Sequence, residues 1–187
     1  MLWGCNLAIL LAGIGLIGRM PKLIEAAATS ISIDQFMWYA DVAGYFLSGR
    51  KSWPIGVAKY LEWPDTPFIK KITGTHHLWF LPLVLYLLRR VSSFDSQVHI
   101  ASILICVAES FASRLFTPLK FRLPSGKEEY MNINCAYECW QDVKFPFLHW
   151  TDGAAAHLHL PDLAFWWNTC NLPFYILLKL LAAGIRG

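Results

Sequence analysis

The residues best suited to chemistry are His76 and His77, adjacent at the mouth of an apolar run, THHLWFLPLVLYLL (75–88). A neutral imidazole accepts and returns a proton near pH 7, which suits it to general-base work on a hydroxyl. At the edge of a membrane span such a ring would meet both water and an acyl chain. Paired histidines also tolerate such an interface with no catalytic role, as Trp79 does. A second set is Cys135 and Cys139, four apart, with His149, His157 and His159 downstream. Thiolates with imidazoles make zinc sites, but this spacing is not a finger pattern. Two small residues on the buried face of an amphipathic helix would look the same. No metal ligand set is therefore assigned. A third set is the ionisable residues inside apolar stretches: Asp34, Asp41, Glu109 and Lys179. A charge at mid-membrane costs about 2.5–3.5 kcal/mol unless it faces a cavity or a partner, so each is either functional or structurally paired. The sequence contains no glycine-rich phosphate loop, nucleophile elbow or DNA-binding pattern.

The composition says what kind of element must position these groups. Of 187 residues, 56 % are hydrophobic and 16 % charged, with a net charge of +3. Soluble domains carry about 25 % charged and about 45–50 % apolar residues. The excess of apolar residues excludes a disordered chain. The weak positive charge, with no long basic run, argues against a nucleic-acid binder. Nine Trp, seven Tyr and twelve Phe gather at the edges of apolar runs, where membrane–water interfaces concentrate such rings. The odd number of cysteines, five, and their scattered placement argue against a disulfide framework. Cys5, Cys106 and Cys170 lie inside apolar runs as small hydrophobes.

The expectation is an all-α integral membrane protein, multi-pass, with one membrane domain over 1–187 and the lipid bilayer as its partner. About three to five transmembrane helices are expected from the candidate spans 2–18, 31–48, 75–90, 98–116 and 163–185. Arg19 and Lys22 follow the first span and put its C-terminal end on the cytoplasmic side. A signal peptide is the alternative there, although no basic stretch precedes the apolar one. Residues 50–74 read as a basic interfacial loop, broken by Pro54, Pro64 and Pro67, with Lys59, Lys70 and Lys71 facing headgroups. The short link after Arg89 and Arg90 predicts a helical hairpin between the third and fourth spans. Residues 117–162 carry too many charges to insert and read as a membrane-surface segment. Met131, Cys135, Cys139 and Val143 suggest an amphipathic helix over 128–144, which would leave Cys135 and Cys139 nearer to water than Cys106 or Cys170. Pro173 is expected to kink the last span.

Two strings resemble the type 3 acyltransferase family: TGTHHLWFLPLVLYLL (73–88) and, upstream, YFLSGRK (45–51). In that family a His-Leu-Trp-Phe-Leu string opens a transmembrane helix, as His77-Leu78-Trp79-Phe80-Leu81 does here, and an aromatic–Leu–Ser–Gly string follows an early span. The resemblance covers residues 31–90. It implies a membrane-embedded transferase that moves an acyl group from acyl-CoA to a hydroxyl acceptor. His76 and His77 would be catalytic, and Arg50, Lys51 and Trp79 would bind substrate. Acyl-CoA would be a co-substrate, and no other cofactor is implied. This chain departs from the family's entry motif: Ser32-Ile33-Asp34 is followed by Gln35 and Phe36, and the first His is His76. It also has fewer spans, which implies a truncated, inactive piece or a divergent minimal member. The alternative is a small non-catalytic subunit of a larger membrane complex, with residues 117–162 packed on a partner. A transporter or proton path would rest on Asp41 and Glu109.

Overall fold

The computed structural model describes residues 3–64, 66–91, 94–122, 126, 128–141 and 146–186. Lys127, Asp142, Val143, Lys144 and Phe145 of the expected surface segment lie outside them. The chain is all-α: helices α1 (Gly4–Ile17), α2 (Pro21–Ser30), α3 (Ser32–Leu47), α4 (Phe68–Gly74), α5 (His76–Leu88), α6 (Ser96–Phe116) and α7 (Ala156–Arg186). One antiparallel hairpin, β1 (Lys120–Arg122) with β2 (Glu128–Tyr130), pairs Lys120 with Tyr130 and Arg122 with Glu128.

Helix α2 is the axis of the packing. Every residue from Ile24 to Ser30 is buried, and α1, α5, α6 and α7 all pack on it. Its run Ala26-Ala27-Ala28-Thr29-Ser30 lets neighbouring backbones approach closely, as small residues do between membrane helices. Ala8 of α1, Phe80, Leu81 and Val84 of α5, Val98 of α6 and Leu178 of α7 close the core around it. Pro21 occupies the first helical position of α2, where its missing N–H is no loss.

The chain breaks between α2 and α3 at Ile31, which leaves α-helical geometry (φ −111°, ψ 7°). Partners from other helices satisfy the groups that the break frees. The Ser30 carbonyl accepts from Trp167 Nε1 at 3.0 Å and from Cys106 Sγ at 3.3 Å. Asn171 Oδ1 accepts from Ser32 Oγ and from the Ile33 amide, each at 3.0 Å. Helices α6 and α7 thus clamp the junction that aims α3.

Among the described residues, two helices are long and apolar enough to cross a membrane, Ser96–Phe116 and Ala156–Ile185, and only 22 % of each apolar stretch is buried. The first carries Leu104, Phe111, Leu115 and Phe116 exposed to the outside. The second runs through Pro161 and Pro173 as one helix. The other expected spans form shorter helices. With 14 residues in α1, 16 in α3 and 13 in α5, each falls short of a bilayer core of about 30 Å at 1.5 Å per residue. Helices α4 and α5 abut, since Thr75 between them keeps helical dihedrals (φ −65°, ψ −13°). At the other end of α5, Lys22 pairs with Asp95 at 2.8 Å. Asp95 also caps α6, accepting from the Gln97 and Val98 amides at 3.0 and 3.2 Å.

The amphipathic helix expected over 128–144 does not form in its described part, 128–141. Its start is strand β2, and a 3-10 turn follows at Ile133–Cys135. Asn132 (φ 31°) and Asn134 (φ 55°) take left-handed dihedrals that end any helix, a region asparagine enters more readily than most residues. Asn132 closes the turn, donating to the Glu138 carbonyl and accepting from the Tyr137 amide. The Arg114 guanidinium grips the Ala136 and Ala154 carbonyls at 2.9 Å each and lies 4.1 Å over the Tyr137 ring. Cys135 is therefore buried at 3 % exposure, as Cys106 is at 8 %, while Cys139 and Cys170 are half-buried.

Candidate functional site

Helix α5 begins with His76, and its first two side chains turn inward against α3 and α1. The two imidazoles lie 4.1 Å apart. His76 is buried; its Nδ1 meets the Thr73 carbonyl at 2.5 Å, one turn earlier on α4, and its Nε2 has no partner. His77 is half-buried and held from α3 on two sides. The Trp38 indole stacks on it at 5.4 Å and 19°, and the Gln35 amide lies 2.8 Å from its Nδ1. Gln35 and Trp38 are three apart, on one face of a helix. Gln35 is fully buried. Its Oε1 has no partner with the nitrogen facing His77. Turning the amide over places that oxygen against Nδ1–H, an exchange of near-isosteric atoms.

Cys5, in the first turn of α1, completes the cluster. Its sulfur and one ring nitrogen from each histidine all lie within 4.8 Å of one another. The carboxylates of Asp34 and Glu109 stand within electrostatic reach of Cys5. Glu109 is buried against Gly4, where an added Cβ would come within 2.7 Å of Oε2, and its Oε1 has no partner. The Gly4 amide donates to Asn134 Oδ1 at 2.8 Å. This fixes the start of α1 against the loop after the hairpin.

The remaining expected site residues are placed elsewhere. Asp41 is fully buried, and its carboxylate accepts from the Ile55, Gly56 and Ala58 amides at 2.7–3.0 Å. It folds the loop after α3 rather than facing the histidines. Arg50 and Lys51 are exposed beyond the end of α3, and the helix from Trp38 to Leu47 spans roughly 14 Å. Trp79 points outward, 45 % exposed. Lys70 and Lys71 are nearer, on α4 within two turns of the pair, and Tyr60 packs its hydroxyl against Gly74 between them. Burial pushes that phenol up from its ordinary value. A cleft of about 330 Å³, lined by Gly15, Arg19, Met20, Ile24, Leu88 and Val91, opens at the opposite end of α5. The helix places it about 18 Å from the histidines.

The Cys135–Cys139 set does not converge. His159 is buried with both nitrogens engaged, Nε2 at 2.8 Å from the Cys135 carbonyl and Nδ1 at 3.0 Å from Thr151 Oγ1. Burial pushes the Cys135 thiol well up. Burial, with Asp152 nearby, pushes Cys139 up to about 11. His149 pairs with Asp152 at 2.6 Å. Comparison of the chain with models of protein families, with curated proteins and with solved structures finds no match in any of the three.

Proposed function

We propose that the chain is a multi-pass membrane protein in which His77 serves as a general base for acyl transfer from an acyl-CoA thioester to a hydroxyl. The observation that carries this reading is the hold on His77. Gln35 fixes one ring nitrogen and Trp38 fixes the ring plane, so the other nitrogen is presented in one direction. A base oriented through its far nitrogen is the arrangement that proton abstraction needs. Lys70 and Lys71, on α4 just before the pair, supply positive charge suited to the phosphates of the donor. The exposed apolar faces of α6 and α7 support residence in a bilayer, since a chain this short exposes such faces to lipid or to a partner.

The test is release of free CoA by the purified chain in lipid vesicles, given an acyl-CoA and a set of hydroxyl acceptors. His77→Ala should lower the rate about 10²–10⁴-fold, the usual contribution of a general base. Full activity in both His76→Ala and His77→Ala would remove the pair from the mechanism. The second reading, a non-catalytic subunit, is favoured by the apolar residues left open on α6 and α7. It gains if no CoA is released under any condition while the chain co-purifies with other membrane proteins.

A further inference from the structure

We infer that Cys5, His76 and His77 form a binding site for one thiophilic divalent cation of the zinc type. One sulfur and two imidazole nitrogens are a donor set that zinc prefers. They come from two helices far apart in sequence and converge within 4.8 Å. Zinc–sulfur bonds of about 2.3 Å and zinc–nitrogen bonds of about 2.0 Å put tetrahedral donors about 3.5 Å apart. Closing the set therefore takes side-chain movements of about 1 Å.

Three independent features point the same way. His76 Nε2 is buried and has no partner among the described residues, a position that costs free energy unless something occupies it. Its other nitrogen is engaged by the Thr73 carbonyl, the orienting contact that metal-bound histidines usually make. Gln35, turned so that Oε1 faces Nδ1–H of His77, makes the corresponding contact to the second ring. The charge also fits. A dication with one thiolate carries a net positive charge, and Asp34 and Glu109 stand within electrostatic reach of Cys5. On binding, the Cys5 thiol loses its proton to solvent and the sulfur takes up the metal. Three protein ligands leave a fourth tetrahedral position open.

The inference goes beyond the acyl-transfer reading and does not rest on it. Metal on His77 engages the ring that a general base would need free, so the two states exclude each other at that ring. The experiment uses the full chain in detergent and reads no enzymatic activity. Cobalt(II) is titrated in, followed by zinc in competition. One equivalent of cobalt should bind and give a sulfur-to-metal charge-transfer absorption, which one equivalent of zinc abolishes. Cys5→Ser should remove that absorption and keep the helical circular dichroism. Gln35→Leu, which touches no metal, should weaken binding about 10–100-fold, the usual effect of losing an orienting contact. In the unmutated chain, zinc should protect Cys5 from alkylation, which needs no variant to fold. The inference is overturned if no stoichiometric binding occurs. It is equally overturned if the absorption survives Cys5→Ser and disappears in Cys139→Ser, or if zinc leaves Cys5 alkylation unchanged.

Discussion

Asp41 shows how a buried carboxylate can look catalytic in a sequence and be structural in a fold. Inside an apolar stretch, its type and position mark it as a functional candidate. In the structure its two oxygens take the amides of Ile55, Gly56 and Ala58, so the charge is matched by converging backbone dipoles. Asp41→Ala should leave these donors without partners and destabilise the protein by about 3 kcal/mol, since each hydrogen bond to a charged group is worth about 1.5–3 kcal/mol. Thermal unfolding in detergent checks the loss, and proteolysis should find residues 50–63 first. A melting temperature equal to that of the unmutated chain would show that solvent replaces the carboxylate. The histidines are the opposite case. Their type and adjacency were legible, and the structure does gather partners around them. Cys5 was not legible as one of those partners, because a lone cysteine in an apolar run carries no sign of what will pack against it. Gln35 was hidden likewise: it stands where the acyltransferase resemblance breaks down, and only its spacing from Trp38 puts both on one face.

Apolar runs announced α1, α5, α6 and α7, and α3 was visible despite Asp34 and Asp41. Helix α2 was not, although it is the most buried of all. Lys22, Glu25, Thr29 and Ser30 lower its hydropathy, and its alanines add little. Its burial comes from small size and close approach, which an apolar-run reading does not detect. The 128–144 stretch fails for the converse reason. A four-residue spacing suggested a helix, and two asparagines in left-handed geometry cancel it. The α2–α3 junction offers a test of this account. Asn171→Leu removes the acceptor of the Ile33 amide and leaves the Ser32 hydroxyl only the Thr29 carbonyl to donate to. An apolar side chain cannot replace it, and a buried unpaired donor costs about 1–3 kcal/mol. Loss of stability in that range is expected in chemical unfolding, together with a weaker stacking of Trp38 on His77, since α3 would be aimed less well. The cap of α6 gives a pH dependence. Hydrogen bonding from Lys22, more than the cap amides, holds the Asp95 carboxyl below its ordinary value of 3.8. A depressed folded value means that the contribution is fully present above 3.8 and is lost as pH falls through the lower value. Amide exchange at Gln97 and Val98 should therefore quicken only in strong acid. In Lys22→Ala the same change should begin at a higher pH. Identical profiles for the two proteins would show that Lys22 does not set the titration.

On the scale of the whole molecule, the question is what covers α6 and α7. Leu104, 63 % exposed, sits near the middle of α6, where a spanning helix meets the centre of the bilayer. A soluble protein tolerates a lysine at such an exposed site, and its solubility improves. A membrane protein does not, because a central lysine costs about 2.5–3.5 kcal/mol on insertion scales, an equilibrium change on the order of 100-fold. Leu104→Lys therefore separates the two environments with one substitution that touches neither the buried core nor the histidine cluster. The unmutated chain should stay with membranes through carbonate washing, and Leu104→Lys should shift a measurable share into the soluble fraction or into degradation. Glu129→Lys, at an exposed position on strand β2, serves as the control and should leave partitioning unchanged. If Leu104→Lys raises the soluble yield of folded protein with no loss of helicity, the exposed leucines face water or a soluble partner, and the bilayer assignment falls.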